Sequence, residues 1–257
     1  MGLAIRLARR ELRGGLRGFR VFLACLVLGV AAIAAVGIVR AAIQQGLADQ
    51  GAVLLGGDAQ MKFTYRYASD EERAFMARVA DRVSEVVDFR SMAVVGQGAS
   101  AERGLTQVKA IDEGWPLLGT AQLEPPMSVD QALAPSGGLP GAVMDGVLMD
   151  RLGLAVGGTF RLGLLEFRLT ARLTKEHDSA CGGFGLGPRT LVRSADLKDS
   201  GLIGPGTLFE TEYRMVLPPG ADLAALKAEA LERFRDTGMR WQDRTRAAPG
   251  VERFVEQ

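Results

Sequence analysis

The chain has 257 residues, with 31 basic and 30 acidic side chains, one histidine and two cysteines. A near-neutral net charge offers no basic surface of the kind that binds nucleic acid. One histidine and two widely separated cysteines argue against a conventional zinc site. The charge is unevenly spread, because residues 1–20 hold six arginines and one glutamate, which leaves about −4 for the remainder.

The first twenty residues predict an amphipathic helix. At helical spacing, apolar side chains from Ile5 to Phe19 fall on one face and the arginines fall beside them. A helix of this kind lies on a membrane surface, with its guanidinium groups among the lipid headgroups. The predicted membrane-surface residues are Arg6, Arg9, Arg10, Arg13, Arg17 and Arg20.

Residues 21–39 form a run of nineteen residues without a charge. As a helix the run is about 28 Å long, which matches the hydrocarbon core of a bilayer. The arginines before it place the N-terminus in the cytoplasm and the residues after Arg40 on the other side. A cleaved signal peptide is the alternative, but its apolar region is normally 7–15 residues long, so we expect an uncleaved anchor.

The helical pattern continues after the span and predicts a stalk at 40–56, in which Ile43 and Leu47 are the apolar positions. Gly51 and the turn at Gly56 and Gly57 are expected to end it.

The segment 57–250 predicts one folded domain of mixed α+β class, with two subdomains as an option, because helices and strands mix without regular βαβ alternation. Alternation at 59–66 predicts a half-buried strand, with Gln60 and Lys62 on its solvent side. Ser69 and Glu72 predict a capping box that begins a helix ending near Val83. The further predictions are strands at 85–95 and 104–112, an irregular segment at 115–141 with a short helix at 128–133, a helix at 147–152 closed by Gly153, a hairpin at 159–173, a loop at 177–187, a strand at 189–193, a short helix at 194–199, a strand at 208–217, a helix at 221–234 and a strand around Trp241.

No familiar catalytic motif is present: the sequence lacks a Walker A loop, GxSxG, HExxH and CxxC. The segment 175–181 does hold the residue types of a hydrolase triad in His177, Ser179 and Cys181. Triad members come together from distant positions on rigid elements, so we interpret this segment as a solvated loop. We therefore predict no catalytic, cofactor-binding or metal-binding residue.

Several segments resemble ABC transporter permeases of the FtsX, LolC and macrolide-exporter MacB type. VLMDRLGLAVGGTFRLG (147–163) resembles their short helix, LGL-x-VGDT turn and strand, with Gly158 where the family commonly has an acid. EFRLTARL (166–173) resembles the return strand of the hairpin, and LPPGADLAALKAEALERF (217–234) resembles a late strand-to-helix unit. The segments 54–66, 92–96 and 182–192 resemble most the branch linked with lysophospholipase or arylesterase biosynthesis.

The resemblance implies a permease of the bacterial inner membrane whose residues after 40 are periplasmic. Its implied partners are a cytoplasmic ABC ATPase, a second permease copy or a paralogue, and membrane lipids. Such permeases are non-enzymatic and transmit motion from the ATPase to the periplasmic domain to move lipids, lipoproteins or hydrophobic compounds. They have four spans, so residues 251–257 are expected to approach a second span beyond the chain.

Two alternatives remain at this stage. The chain could be a single-pass anchored ligand-binding or sensory domain, in which case the stalk is only a tether. It could also be an anchored hydrolase that uses the residues of the 177–181 segment. Continuation of the reading frame into further apolar spans, or labelling by a covalent serine or cysteine probe, would distinguish them.

Overall fold

A computed structural model describes residues 21–39, 46, 51–176, 187–197, 200–204 and 206–245. The chain divides into two units, residues 1–47 and residues 48–257, and we call the second the folded domain. In the first unit, the predicted apolar helix is confirmed as α1, Val21–Val39. It is long and apolar enough to cross a membrane, and its large side chains, such as Leu28 and Ile33, are exposed in the absence of lipid.

The folded domain is of the α+β class that the sequence predicts. Its strands are β1 (Ala59–Thr64), β2 (Arg82–Val95), β3 (Glu102–Ile111), β4 (Ala121–Glu124), β5 (Gly141–Asp145), β6 (Thr159–Leu162), β7 (Leu165–Glu176), β8 (Arg189–Arg193), β9 (Phe209–Val216) and β10 (Arg240–Asp243). Its helices are α2 (Asp70–Val79), α3 (Val129–Leu133), α4 (Gly146–Leu152) and α5 (Leu223–Arg233).

One half of the domain, which we call the helix-covered lobe, is built from two βαβ units. The units are β1-α2-β2 and β9-α5-β10, and their strands form an antiparallel sheet in the order β10-β1-β9-β2. This is the arrangement of ferredoxin-like folds. Both helices pack their apolar faces into a single core, in which Phe75 of α2 and Phe234 of the α5 C-cap contact each other edge to face at 5.6 Å.

The other half, which we call the ring lobe, is inserted between the two βαβ units. Six strands pair in a closed circuit, β2-β3-β8-β5-β7-β6, and β6 returns to pair with β2 at Ala93 and Val94. The long strand β2 therefore belongs to both lobes. One face of the circuit packs a core that includes Phe160 and Phe167, against which α4 places Leu148. A second apolar cluster around Trp115 covers the opposite face.

Most predicted elements are confirmed, and the capping signals gave the helix starts correctly. The side chain of Ser69 accepts from the Glu72 amide, and the Glu72 carboxylate accepts from the Ser69 amide. Gly153 closes α4 in the left-handed conformation, with φ +58. The hairpin, the strand at 189–193 and the late strand-helix-strand unit are also present, with bounds shifted by a few residues.

Three details of the prediction are wrong. Helix α2 ends at Val79 because Ala80 is already extended (φ −115, ψ 143), so Val83 lies on β2. The irregular segment 115–141 contains strand β4. Gly51 does not end the helical structure, since residues 51–55 are helical and the chain turns at Gly56, where φ is +74. The short helix expected at 194–199 is present as a 3-10 helix, Ser194–Leu197.

Candidate functional site

The residues that the sequence singled out lie outside the described part of the chain. This applies to the six arginines before α1, to the stalk positions Ile43 and Leu47, and to His177, Ser179 and Cys181. The strongest concentration of polar chemistry in the described residues lies elsewhere, on the face of the sheet turned away from α2 and α5.

This face is lined by charged side chains that are buried. Gln60 and Lys62 of β1 lie on it and are 2% and 7% exposed, so the prediction of a solvated strand face is wrong. The next strand continues the pattern with Glu210, Glu212 and Arg214 at alternate positions. Alternating charges on a strand look the same in sequence whether water or opposite charges surround them, which is why the sequence did not show the burial.

The helix-covered lobe contributes Lys62 and two acids to this face. Lys62 Nζ lies 2.7 Å from Glu210 Oε2 and 3.1 Å from Glu212 Oε1, and Arg214 Nη2 lies 3.0 Å from Glu212 Oε2. Burial acts to lower the pKa of Lys62, but the two acids outweigh it and the pKa is raised. Burial raises the pKa of Glu212 and lowers that of Arg214.

The ring lobe contributes a second group centred on Glu176, the last residue of β7. Glu176 accepts from Lys109 of β3 and, at 3.0 Å, from Arg189 of β8. Burial opposes ionisation of Glu176, but Lys109 and Arg189 outweigh it and lower its pKa. Lys109 Nζ also lies 4.9 Å from the Trp115 ring centroid.

The two groups form one buried charge cluster, because Arg214 interacts electrostatically with both Lys109 and Glu176. Its members come from β1 and β9 of the helix-covered lobe and from β3, β7 and β8 of the ring lobe. We define the buried charge cluster as Lys62, Lys109, Glu176, Arg189, Glu212 and Arg214. Among the described residues no group of three or more histidines, cysteines or acids could hold a metal ion. The cluster brings opposite charges from both lobes together.

The chain enters the folded domain against this cluster. A Cβ atom built on Gly56 would lie 2.8 Å from Arg214 Nη1, and one on Gly57 would lie 2.8 Å from the carbonyl oxygen of Met215. At Gly57 the neighbour is backbone, so only glycine allows so close an approach, and at Gly56 the positive φ of +74 favours glycine. Ala52 and Leu55 of the preceding helical turn are buried in the domain. A displacement of this turn would therefore act directly on Arg214.

A prediction about pH follows from Lys109. Burial, together with the positive charge of nearby Arg214, lowers the pKa of Lys109 from its ordinary value of 10.5 to about 8. Between pH 8 and 10.5 the unfolded chain binds the proton that the folded chain has released. This group therefore makes the free energy of unfolding rise with pH across that window, by up to about 3 kcal/mol.

The measurement is denaturant unfolding at pH 8, 9 and 10 for the wild-type chain and for Lys109→Met, in which the titrating group is missing. The wild-type free energy of unfolding should rise with pH more steeply than that of the variant. Parallel pH profiles would show that Lys109 is not strongly perturbed.

A cleft of about 440 Å³ lies at the edge of the cluster, where strand β2 changes partners. Strand β2 pairs with β9 as far as Phe89 and with β6 from Ala93, so no described strand pairs with residues 90–92 on that side. We call this opening the fork cleft. Its lining includes Tyr65, Asp88, Phe89, Gln107, Leu208 and Glu210.

Comparison with solved structures gives likenesses of low sequence identity, among them the following three. The periplasmic region of MacB from Actinobacillus actinomycetemcomitans is 9% identical with a TM-score of 0.47, covering 80% of this chain and 96% of that one. A domain of a Porphyromonas gingivalis protein described as a permease is 10% identical (TM-score 0.46, 72% and 89% covered). The extracellular domain of the noncanonic ABC-type transporter YknZ from Gram-positive bacteria is 11% identical (TM-score 0.45, 72% and 100% covered).

Comparison of sequences gives a relative among curated proteins. No known sequence-family profile matches the chain. The chain is 27% identical over 192 residues to the uncharacterized ABC transporter permease YbbP of Escherichia coli strain K12. The match covers 74% of this chain and 22% of that permease. The chain is therefore similar, over about three quarters of its length, to roughly a fifth of an ABC transporter permease.

Proposed function

We propose that the chain is the N-terminal part of a non-enzymatic permease subunit of an ABC exporter. In this proposal α1 spans the bacterial inner membrane, residues 1–20 lie on its cytoplasmic surface and the folded domain is periplasmic. The stalk at 40–56 transmits motion from a cytoplasmic ABC ATPase to that domain. A second permease copy or a paralogue completes the transporter, and its substrate is a lipid, a lipoprotein or another hydrophobic compound.

The similarity to the permease YbbP is the observation that carries the proposal. The narrower resemblance to the branch linked with lysophospholipase or arylesterase biosynthesis favours substrates with an acyl chain. The structure supports transmission in a second way, since the helical turn 51–55 ends against Arg214 of the buried charge cluster. Because that cluster joins the two lobes, a force on this turn would reach both of them.

The first prediction from this proposal concerns orientation. In a Cys25→Ser, Cys181→Ser background, Leu12→Cys should be protected from a membrane-impermeant thiol reagent in whole cells. Asp70→Cys, at the exposed start of α2, should be labelled. Arginines on the cytoplasmic side of a span give this orientation. The reverse labelling pattern would end the proposal, and permeabilised cells that label both positions provide the control.

The second prediction concerns coupling through the stalk. A proline in a helix interior costs about 3 kcal/mol and kinks the helix. Ile43→Pro or Leu47→Pro in the full-length protein should therefore abolish transport while ATP hydrolysis and binding of the ATPase persist. Leu47→Ala is the matched control and should transport normally, since alanine keeps the helix.

The same experiment distinguishes the second candidate, an anchored ligand-binding domain, which the fork cleft favours. A tether tolerates a kink, so ligand binding would be unaffected by Leu47→Pro. Normal transport by Leu47→Pro would contradict mechanical transmission through this segment.

A further inference from the structure

The first and the last described segments of the folded domain lie against each other. Asp58 follows the entry turn, which we define as residues 51–57, and Arg244 follows β10. Ala59 is opposite Asp243 in the antiparallel register of β1 and β10, so Asp58 and Arg244 are the next pair along. The Arg244 amide donates to the Asp58 carbonyl oxygen at 2.9 Å, which continues the ladder by that pair.

The Asp58 carboxylate adds side-chain bonds to two other segments. Its Oδ1 atom accepts from Arg244 Nη1 at 2.7 Å, and its Oδ2 atom accepts from the Leu217 amide at 2.9 Å. The Asp58 amide donates to the Met215 carbonyl oxygen at 2.8 Å. The side chain is 12% exposed, and hydrogen bonds to an ion are stronger where water is largely excluded. Asp58 therefore holds the entry of the chain against the end of β9 and against the segment that follows β10.

The segment that follows β10 is itself held in a defined turn, which we call the final turn, residues 243–245. Asp243 Oδ1 accepts from the Thr245 amide at 3.1 Å and also from the Thr245 hydroxyl. Asp243 Oδ2 accepts from Trp241 Nε1 at 3.2 Å, and Asp243 is 4% exposed. A displacement of Arg244 would therefore move a fixed turn.

The entry turn is also fixed in place. The Gly57 amide donates to the Ala52 carbonyl oxygen at 2.9 Å, and the Gly56 amide donates to the Val53 carbonyl oxygen at 3.2 Å. Leu55 is 2% exposed. Closely packed parts transmit a displacement to their neighbours. A displacement of this helical turn would therefore reach Asp58.

We propose that Asp58 and Arg244 form a clamp that makes the entry turn and the final turn one mechanical unit. A displacement of the entry turn carries the final turn with it, and with the final turn the chain that follows Thr245. The clamp is a property of the fold, and its use in transport rests on the proposed function. In that setting the stalk moves β1 and β10 together, because each strand is attached to one side of the clamp.

An ion pair that only adds stability is the competing interpretation. Arg78 of α2 and Glu229 of α5 form a pair of that kind, because both side chains are exposed and the pair joins two helix surfaces. Asp58 differs in that its side chain is largely buried and bonds to Arg244 and Leu217 at once. Its main chain bonds to the same two regions. Several bonds at one residue favour a clamp.

The test is hydrogen exchange, measured by mass spectrometry on the whole chain in lipid nanodiscs and followed in peptides that cover 51–57 and 240–245. Leu55→Ala loosens the entry turn by removing a buried side chain. Exchange in 51–57 should become at least about tenfold faster, and exchange in 240–245 should become faster with it, because coupled segments open together. If Leu55→Ala unfolds the domain, the milder Leu55→Val takes its place.

Arg244→Met removes the guanidinium group of the clamp and keeps a long side chain. In this background Leu55→Ala should still speed exchange in 51–57, but its effect on 240–245 should be at least about threefold smaller than in the presence of Arg244. Arg240→Met is the matched control, because Arg240 lies on the same strand and its described partners are on β9 and at the far end of β1. It should leave the full response.

A disulfide provides a clamp that needs no charge. In a Cys25→Ser, Cys181→Ser background, Asp58→Cys and Arg244→Cys place two thiols on opposite residues of an antiparallel pair. The Cα atoms of such residues are about 4.5–5.5 Å apart, which is within the range that a disulfide spans. The response of 240–245 to Leu55→Ala should be lost in the reduced protein and regained on oxidation.

Equal responses of 240–245 in the Arg244→Met and Arg240→Met backgrounds would overturn the clamp, because the coupling would then run through the sheet alone. A final turn that does not respond in the presence of Arg244 would overturn it as well. Normal transport by Leu47→Pro, together with a full response of the final turn, would contradict transmission through the stalk and leave the clamp standing. The two proposals therefore fail separately.

Discussion

Replacing Glu176 by glutamine is expected to destabilise the folded domain by about 3–5 kcal/mol. The substitution removes the carboxylate charge that contacts both Lys109 and Arg189 and leaves these two cations beside a neutral amide. A buried ion pair contributes little net stability when complete, but removal of one partner leaves an uncompensated buried charge. The measurement is the urea midpoint of the chain in nanodiscs, at an unchanged slope with denaturant.

Glu166→Gln is the matched control, because Glu166 is an exposed acid on the same strand. It should change the free energy of unfolding by less than about 0.5 kcal/mol. A double-mutant cycle with Lys109→Met adds a second check. Once Glu176 has lost its charge, removal of the Lys109 ammonium should cost less than it does in the wild type, and additive effects would contradict a direct pair.

Local signals in the sequence predicted much of the fold. Ser69 and Glu72 marked the start of α2 because a capping box satisfies amide groups that any helix must leave without an internal partner. Gly153 marked the end of α4 because the left-handed conformation favours glycine. Strand alternation likewise gave β1 and its inward side chains Met61 and Phe63.

Non-local features were missed. No local signal between Val79 and Val83 marks the end of α2. The segment is extended because Arg82–Phe89 pair with the distant strand β9. The two βαβ units are separated by the inserted ring lobe, so their relation is visible only in the strand order. The closure of the ring by β6 rests on a contact of two residue pairs between distant segments.

The buried charge cluster is the clearest case of chemistry that the sequence concealed. Lys109 interrupts an apolar run, and Glu176 stood in a segment that we interpreted as a solvated loop. Whether such charges are solvated depends on what the chain folds over them, which alternation alone does not show. The members of the buried charge cluster lie on five strands from both lobes. One of them, Arg214, also lies against Gly56, where the chain enters the domain. A cluster so placed joins three parts that the motion we propose would have to cross.

The second large effect is expected from Phe167→Ala in the core of the ring lobe, which should destabilise the folded domain by about 3–5 kcal/mol. Because β2 and the buried charge cluster belong to both lobes, we expect the lobes to unfold together. Trp115 packs in the ring lobe and Trp241 against the core of the helix-covered lobe, so each reports on one half.

Fluorescence of Trp115→Phe and Trp241→Phe variants should give coincident urea transitions, and Phe167→Ala should move both midpoints equally. Phe75→Ala, in the core of the helix-covered lobe, is the reciprocal change and should do the same. If Phe167→Ala shifted only the transition seen by Trp115, the lobes would be separate folding units. A displacement at the entry turn would then stay within one lobe. A shared transition is what we expect if, as we propose, the domain moves as one body with its stalk.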